Sequence, residues 1–552
     1  MNFPDFSLLS NVVDIFARSI QPATIRVVEG RIASITPTGA TTPDANLPYA
    51  LPGFVDAHVH VESSLLVPTE FARLAVTHGT VATVSDPHEI GNVLGVAGVE
   101  YMLENASHSP FKFCFGAPSC VPATPFETAG AEITPADIAR LFENPKIGYL
   151  AEMMNWPGVL QRDTDVMAKI ALAQATGRPV DGHAPGLRGD DAAHYASAGI
   201  STDHECFAAD EALDKLAVGV KILIREGSAA RNFDALIGLL PEHYAHLMFC
   251  SDDKHPDTLV LGHINQLVQR AVALGNDVFH VLRVACINPV KHYNLPVGLL
   301  EEGDPADFIV VKNLQDFQVL QTYLNGQLVA ENGQPLLPAT PIAVVNNFHA
   351  LPVTAVDFHL PTSQEYNTLR VIQCFDGQLI TARVDLPARI ENGLIVTNVA
   401  EDVLKLAVIN RYQPHVAPAL AFIRGFGLQH GALASSVGHD SHNITAVGCD
   451  DESIARAVNL VIAAKGGLAA VGADGREILV PLPVAGLMSD QEGQAVAGTY
   501  AAVDALAKEL GSPLDAPFMT LSFMALLVIP SLKLSDKGLF DGHRFEFVDA
   551  VE

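Results

Sequence analysis

Two histidines near the start of the chain have a spacing that suits one metal ion. His58 and His60 stand two residues apart in PGFVDAHVHVESS, residues 52–64, at the end of an apolar run that predicts a buried strand. Because alternate side chains of a strand share a face, both imidazoles point the same way and can bind a single cation. A His-x-His pair alone is weak evidence, so its weight depends on residues of similar chemistry further along the chain.

Such residues follow at the ends of later predicted strands. Glu152 precedes a second histidine pair, His183 and His204, and Asp252 comes last. We expect each histidine pair to bind one metal ion and Glu152 to bridge the two ions, which lie about 3.5–4 Å apart in two-metal sites. Asp252 would ligate a metal ion and accept a proton from water, which makes Asp252 and Glu152 the candidate catalytic residues.

The chemistry of this ligand set narrows the metal and the class of reaction. The six ligands are imidazoles and carboxylates without a thiolate, which favours zinc, iron or manganese over a soft-metal site. A single histidine or acid at a strand end is as often a hydrogen-bonding group as a ligand. Six of them in ordered positions indicate a metal-dependent hydrolase.

Four further residues are candidate substrate contacts, each with a structural alternative. His88 and Glu89, in SDPHEIGN, would contact substrate or add a metal site, or they lie in a turn whose geometry Pro87 fixes. Glu62 shares the face of the first histidine pair if that strand continues, and otherwise caps the next helix. Arg225 ends the seventh predicted strand, where it contacts substrate or forms a structural ion pair.

Two other positions have ligand-type residues whose role the sequence leaves open. By strand alternation Asp253 faces away from Asp252, so we expect it to cap a helix or to hold a neighbouring side chain. In SSVGHDSHN, His439, Asp440 and His442 have a ligand-like spacing, but the supporting acid is only a local one. For this segment two interpretations remain, a functional cluster and a solvated loop.

The elements that must position these residues alternate short β-type runs with helical stretches. Such an alternation predicts an α/β fold with a (β/α)8 TIM-like barrel over residues 51–297. In this fold the active site lies at the C-terminal ends of the strands, which is where the polar residues stand. The eight runs end near His60, Asp86, Phe115, Glu152, His183, His204, Arg225 and Asp252.

The segments on either side of the barrel predict further domains. Residues 1–50 and 298–345 both alternate apolar and polar residues around turns, so we expect them to pair into one small composite β-domain. Residues 346–552 mix strand-like and helical runs, which predicts a C-terminal α+β domain. The apolar tract FMALLVIP, residues 523–530, is too short for the ~20 residues of a membrane-spanning helix, and we expect a core strand there.

Composition limits the class of partner. A chain of 552 residues with 49% hydrophobic and 17% charged residues is typical of a globular protein of several domains. A net charge of −29 argues against nucleic acid and anionic membranes as partners. Seven scattered cysteines and the lack of a signal-peptide pattern indicate a reducing cytoplasm. We therefore expect a cytoplasmic homo-oligomer that acts on a small molecule.

These motifs together resemble a known family. PGFVDAHVHVESS, SDPHEIGNV, GHAPG, TDHE and SDDKHPD are similar, in their order, to the barrel motifs of the amidohydrolase superfamily, and within it of the bacterial adenine deaminases. SSVGHDSHN, GLAAV and PLPVAGLMS resemble the C-terminal domain of those deaminases, which most amidohydrolases lack. The resemblance covers almost the whole chain.

The resemblance implies a reaction and a cofactor. It implies hydrolytic deamination of adenine to hypoxanthine and ammonia, as in purine salvage, with two divalent ions, which are manganese or iron, with zinc as the alternative. Many superfamily members bridge their metals with a carbamylated lysine on the fourth strand, whereas AEMMN places Glu152 there, as adenine deaminases do. The alternative is another amidohydrolase that acts on a cyclic amide or an amino-sugar amide, because these reactions also need an activated water.

Overall fold

The first strands of the chain form an antiparallel sheet. In the computed structural model, which describes residues 4–362 and 368–552, β1 to β3 pair as successive antiparallel neighbours and β4 pairs in parallel with β1. Glu29 and Gly30 join β2 to β3 with φ values of 50° and 76°, as a two-residue type I′ hairpin turn requires. The strands are Phe6–Asp14 (β1), Ser19–Val28 (β2), Arg31–Pro37 (β3) and Tyr49–Pro52 (β4).

Eight parallel strands follow and close into a barrel. They pair in sequential order as a group of five and a group of three. Parallel bridges between Val180 and Ile200 and between Val59 and Asp252 join the two groups at both sides. The predicted (β/α)8 barrel is confirmed. Its strands are Phe54–Val59 (β5), Thr80–Ser85 (β6), Lys112–Ala117 (β7), Ile147–Met153 (β8), Val180–Gly182 (β9), Thr202–Asp203 (β10), Lys221–Arg225 (β11) and Leu247–Cys250 (β12).

Helices connect successive barrel strands and surround them. The last two of these helices are joined by a π-helical turn over Arg283–Ile287. The helices are Pro68–Ala75 (α1), His88–Leu94 (α2), Val96–Ala106 (α3), Pro135–Phe142 (α4), Trp156–Leu160 (α5), Thr164–Ala175 (α6), Gly189–Ser197 (α7), Ala209–Ala217 (α8), Phe233–Leu236 (α9), Leu240–His243 (α10), Pro256–Leu261 (α11), Ile264–Ala273 (α12), Val278–Leu282 (α13) and Asn288–Tyr293 (α14). None of the helices in the described residues is both long enough and apolar enough to cross a bilayer.

After the barrel the chain returns to the first sheet. The returning strands are Phe308–Val311 (β13), Val319–Leu324 (β14), Gln327–Glu331 (β15) and Gln334–Pro335 (β16). β13 pairs with β4, so segments from both sides of the barrel form one sheet of eight strands, in the order β16-β15-β14-β13-β4-β1-β2-β3. The predicted pairing of the two segments is therefore present. The limits 1–50, 51–297, 298–345 and 346–552 stay predictions.

The C-terminal part has its own sheets. β18 to β27, without β20 and β21, form a mixed sheet of eight strands, and two three-stranded sheets accompany it. Helix α15 packs on the large sheet through Ile454, Val458 and Val461. The strands are Leu360–Pro361 (β17), Thr368–Gln373 (β18), Ala382–Pro387 (β19), Arg389–Glu391 (β20), Leu394–Val396 (β21), Leu404–Ile409 (β22), Ala419–Arg424 (β23), Ala432–Ser435 (β24), Ile444–Gly448 (β25), Gly467–Val471 (β26), Glu477–Pro481 (β27), Leu532–Ser535 (β28), Gly538–Asp541 (β29) and Glu546–Phe547 (β30), and the helices are Asp451–Ala464 (α15), Gly493–Glu509 (α16) and Pro517–Phe523 (α17).

The prediction of a strand over residues 523–530 is wrong. Helix α17 ends at Phe523, and turns follow in which Leu526 N–H donates to the carbonyl of Phe523 (3.2 Å) and Ile529 N–H to that of Leu526 (3.3 Å). A short apolar run does not by itself distinguish a strand from other buried structure. Here the local hydrogen bonds satisfy the backbone, and the apolar side chains are buried without a strand partner. All seven cysteines are free, as expected.

Candidate active site

The first and last barrel strands bring the first histidine pair to Asp252. His60 N–H donates to the carbonyl of Asp252 (3.2 Å), and Asp252 N–H donates to the carbonyl of His58 (2.9 Å). Oδ1 of Asp252 then lies 3.2 Å from Nε2 of His60 and 3.6 Å from Nε2 of His58. The closure of the barrel therefore assembles three of the six predicted ligands.

Glu152, on β8, lies between the two histidine pairs. Its Oε1 is 3.2 Å from Nε2 of His60 and 3.8 Å from Nε2 of His58. Its Oε2 is 2.7 Å from Nδ1 of His183 and 3.3 Å from Nε2 of His204. One carboxylate thus presents a separate oxygen to each pair, which is the arrangement that a bridging ligand needs.

Whether these residues suit metal ions can be judged from buried ring nitrogens that have no hydrogen-bond partner. Both ring nitrogens of His58 and Nε2 of His183 make no hydrogen bond within the described part of the chain, although His58 is fully buried. A buried polar atom without a partner is costly, so such atoms call for a ligand that is bound there. Imidazole nitrogens and carboxylate oxygens are suitable donors for zinc, iron and manganese. The residues therefore fit a pair of divalent ions.

The charges of the site follow from its burial and its close contacts. Although burial favours the neutral acid, His183 and His204 hold the pKa of Glu152 well below its usual range. In the same way Arg225 and His60 lower the pKa of Asp252. Both carboxyl groups are therefore anionic, which is the form that binds a cation or accepts a proton.

Arg225 forms the structural ion pairs that the sequence offered as its alternative role. Its Nη1 donates to Oδ2 of Asp252 (2.6 Å), and its Nη2 donates to Oε2 of Glu205 (3.1 Å). Glu205 also lies 3.5 Å from Nε2 of His204, measured from Oε1. The one sequence signal for Glu205 is its position directly after His204 in the TDHE motif.

The SDPHE segment enters helix α2 directly, with Pro87 as the residue before its first turn. His88 and Glu89 both line the cavity above the ligand cluster. Nδ1 of His88 is 3.3 Å from Oδ2 of Asp86 and 3.5 Å from Oε1 of Glu152. His88 therefore directs one ring nitrogen at the ligand cluster.

Two expectations based on strand geometry need correction. The strand of the first histidine pair ends at Val59, and Glu62 lies in a 3-10 turn, outside the cavity lining, where its Oε1 accepts a hydrogen bond from Ile90 N–H (3.2 Å). Asp253 does hold a neighbour, since Ser63 Oγ donates to it (2.5 Å), but it lines the cavity together with Asp252. Strand alternation fails there because Asp252 has a φ of 55°.

The solvated-loop alternative for the C-terminal histidines is wrong. His439 and His442 lie in the hairpin loop between β24 and β25, are 5% and 1% exposed, and contact Glu89 of the barrel. Against the effect of burial, these two histidines lower the pKa of Glu89. Glu89 is therefore a carboxylate, which can accept a hydrogen bond or bind a cation but cannot donate a proton.

The C-terminal part also covers the cavity with apolar side chains. The sequence offered no signal for them, because apolar residues of this kind occur throughout the chain. The cavity is lined by His60, His88, Glu89, Glu152, Met154, His183, His204, Glu205, Arg225, Ala230, Asp252 and Asp253 from the barrel and by Leu379, His439, Asp440, Phe523, Leu526 and Val528 from the C-terminal part.

Comparison with known proteins agrees with this arrangement. Residues 49–329 match the amidohydrolase family, and residues 378–546 match the adenine deaminase C-terminal domain. The chain is 57% identical to an adenine deaminase of Salinibacter ruber, over 99% of this chain and 98% of that protein. It is 55% identical to an adenine deaminase of a Sulfurovum species, over 98% of this chain and 99% of that protein.

A more distant likeness concerns a solved structure. An N-acetyl-D-glucosamine-6-phosphate deacetylase from Mycobacterium smegmatis superposes with a TM-score of 0.45 and 16% identity, over 59% of this chain and 100% of that chain. The family matches and the full-length relatives are decisive: the chain belongs to the amidohydrolase family and, within it, to the adenine deaminases. This membership implies a divalent metal ion, for which the buried histidine and carboxylate groups are the candidate ligands.

Proposed function

We propose that this chain hydrolyses adenine to hypoxanthine and ammonia in a site that holds two divalent metal ions. The main support for adenine as the substrate is the 57% identity with an adenine deaminase over 99% of the chain. That similarity includes the C-terminal part, which supplies six of the residues around the cavity. Substrate and metal ligands therefore meet in a cavity that both parts of the chain build.

The geometry supports a division of the ligands between two ions. His58, His60 and Asp252 would hold one ion, His183 and His204 would hold the other, and Glu152 would supply one oxygen to each. We propose manganese or iron, and zinc suits the same donors. When bound, the two ions would lower the pKa of water toward ~7 and so supply hydroxide at neutral pH.

Asp252 would move the proton that the reaction requires. Replacement of the C6 amino group by oxygen removes a proton from water and needs one on the departing nitrogen. Arg225 fixes Oδ2 of Asp252 by a hydrogen bond, which leaves Oδ1 on the side of His60. The low pKa of Asp252 keeps it anionic, so it accepts the proton and passes it toward the ring nitrogen or the amine.

The C-terminal part would hold the purine and exclude water. Leu379, Phe523 and Leu526 present apolar surface to the cavity, while the barrel presents its charged ligands. A flat heterocycle with polar edges suits such a site, because its faces can pack on apolar side chains. We infer that Phe523 is the aromatic contact of the bound base.

The test is ammonia release from adenine by the purified protein loaded with Mn²⁺ or Fe²⁺, with a chelator-treated sample as control. Metal-dependent release with formation of hypoxanthine is the expected result. No release from fully metal-loaded protein would discard adenine as substrate, and cyclic amides and amino-sugar amides would be tested next. The homo-oligomer and the cytoplasmic location stay predictions.

A further inference from the structure

A second group of buried ligand-type atoms lies where the hairpin loop between β24 and β25 meets helix α2. Nε2 of His88 is 3.7 Å from Oε1 of Glu89 and 3.7 Å from Oδ1 of Asp440. Nδ1 of His439 is 2.5 Å from the same oxygen of Glu89 and 3.8 Å from the same oxygen of Asp440. Two nitrogens and two oxygens, from two parts of the chain, thus converge on one point.

This group is separate from the ligands assigned to the two barrel ions. The imidazole of His88 lies between the two groups, with Nδ1 toward Glu152 and Nε2 toward Glu89 and Asp440. The ring nitrogens of an imidazole point in different directions, so one ion cannot use both. An ion held by Nε2 of His88 is therefore additional to the barrel pair.

Hydrogen bonds within the protein do not account for the group. Glu89 and Asp440 are 1% and 3% exposed, yet Oε1 of Glu89 and Oδ2 of Asp440 make no hydrogen bond within the described residues. Buried carboxylates normally have their oxygens satisfied or are paired with a charge. A cation held by Oε1 of Glu89 and Oδ1 of Asp440 would satisfy the first oxygen and balance the charge of both carboxylates.

His442 has the position of an outer partner that orients a metal-binding carboxylate. Its Nδ1 accepts a hydrogen bond from Gly438 N–H (3.3 Å), so the proton of the neutral ring is on Nε2. Nε2 contacts Oε2 of Glu89. That contact leaves Oε1 of Glu89 directed at the group, and such support is usual for metal-binding carboxylates.

We propose that His88, Glu89, His439 and Asp440 bind a third divalent metal ion, which ties the C-terminal part to the barrel at the wall of the cavity. The four donors match the zinc, iron and manganese class, and the two carboxylates balance the charge of a divalent ion. An ion bound to Nε2 of His88 would prevent that nitrogen from donating a proton to the substrate.

The decisive experiment is an anomalous difference map from crystals of the full-length protein grown with Mn²⁺. We expect two peaks at the barrel ligands and a third between His88, Glu89, His439 and Asp440. Peaks at the barrel ligands alone, in Mn²⁺-saturated crystals, would overturn the third site and leave the proposed function intact. A third peak without the barrel pair would support the site and contradict the two-ion proposal instead.

A count of bound metal in solution tests the same site without crystals. Titration of metal-free protein with Mn²⁺, followed by the electron paramagnetic resonance of the free ion, should give three bound ions per chain. His439→Ala should give two, and Asp440→Asn, which keeps the size of the side chain, serves if that variant does not fold. His292→Ala is the matched control, since His292 contacts Ser201 and Lys221 at the N-terminal ends of their strands, and it should keep three. A wild-type count of two would overturn the third site.

Discussion

At the scale of single residues, Glu152 is the group on which the two histidine pairs depend. Each of its oxygens approaches a different pair, at 3.2 Å from Nε2 of His60 and 2.7 Å from Nδ1 of His183. Glu152→Gln keeps the shape but removes the negative charge and replaces one carboxylate oxygen by an amide NH2 group, which cannot bind a cation. We expect the variant to lose at least one metal ion per chain relative to wild type, as measured by elemental analysis.

A buried glutamate elsewhere in the barrel provides the control for that variant. Glu211 is 1% exposed and pairs with Lys215, outside the candidate active site. Glu211→Gln should keep the metal content of the wild-type protein. Full occupancy in Glu152→Gln would show that Glu152 does not bridge the ions.

A second prediction for a single residue concerns Asp252, and the quantity it predicts is the catalytic rate. In Asp252→Asn the amide oxygen can still accept the hydrogen bond from Arg225, so the fold is expected to persist. The amide cannot accept the proton, and kcat for adenine should fall by at least ~10²-fold, as is usual when a general base is lost. The check combines steady-state kinetics with circular dichroism and with elemental analysis, so that kcat is compared at equal metal content, and an unchanged kcat would remove Asp252 from the mechanism.

The sequence could predict which candidate ligands come together better than it could predict the directions of their side chains. His58, His60, Glu152, His183, His204 and Asp252 come together as their strand-end positions predict, because parallel strands of a barrel end at one face. The direction of Asp253 was mispredicted because the φ of 55° at Asp252 breaks the alternation of the strand. A local backbone conformation of this kind leaves no clear periodic signal in the sequence.

At the scale of secondary-structure elements, β28 fixes the apolar cover of the cavity through Lys533. Its Nζ donates to the carbonyls of Leu379 (2.6 Å) and Phe523 (2.8 Å), two residues that line the cavity. Burial lowers the pKa of Lys533 from 10.5 to about 7. A neutral amine can still donate both hydrogen bonds, so the cover is held on either side of that pKa.

This buried lysine makes stability depend on pH in a defined direction. Between pH 7 and 10.5 the unfolded chain binds a proton on Lys533 that the folded chain lacks, so a rise in pH through this window stabilises the fold. Lys533→Met removes this contribution. We expect the stability of wild type relative to Lys533→Met to increase from pH 6 to pH 9 by on the order of 2 kcal/mol, or about 2 °C in Tm for a chain of this length.

Wild type and Lys533→Met share all other titrating groups, so the contributions of those groups to stability cancel when the two proteins are compared at each pH. Lys537→Met is the matched control, because Lys537 also donates to two carbonyls, of Pro125 and Glu127, but its ammonium group is not fully enclosed. Its Tm difference from wild type should not change between pH 6 and pH 9. A constant difference for Lys533→Met as well would contradict the low pKa of Lys533.

The elements themselves show where sequence patterns are informative. Barrel strands such as Phe54–Val59 and Thr80–Ser85 are buried along their whole length and are followed by polar residues, a pattern that predicted them well. The tract 523–530 has the same apolar character but follows a helix and folds into turns. Tertiary packing, which a single sequence does not contain, decides between those outcomes.

At the scale of the whole molecule, the cavity exists only because distant parts of the chain meet. The sequence predicted a composite β-domain, a barrel and a C-terminal part, since each has its own local pattern. It did not predict that His439 contacts Glu89 or that Phe523 covers the barrel, because contacts between residues far apart in sequence have no local periodicity. The joint cavity leads to two predictions.

The first of these predictions concerns the apolar side chains of the C-terminal part that cover the cavity. Phe523→Ala removes an aromatic side chain from the cavity, and the loss of contact with a base typically costs ~1–3 kcal/mol. We expect KM for adenine to rise by about tenfold or more, with an unchanged content of the two barrel ions. Phe545→Ala, which removes an aromatic residue that is 55% exposed, is the control. Equal KM values for wild type and Phe523→Ala would place the base elsewhere.

The second prediction concerns the stability that bound metal ions would give to the closed barrel. Two candidate ligands, His58 and Glu152, lie on β5 and β8, and the others lie just after β5, β9, β10 and β12, so bound ions would join the first and last strands of the barrel. A ligand that binds only the folded state stabilises it by about 2.7 kcal/mol at 100 times its Kd. Tm should therefore rise with the concentration of Mn²⁺ and fall in a chelator, by at least ~2 °C. Glu152→Gln should show a smaller rise, whereas a wild-type Tm that does not respond to Mn²⁺ would mean that metal does not bind at the barrel closure.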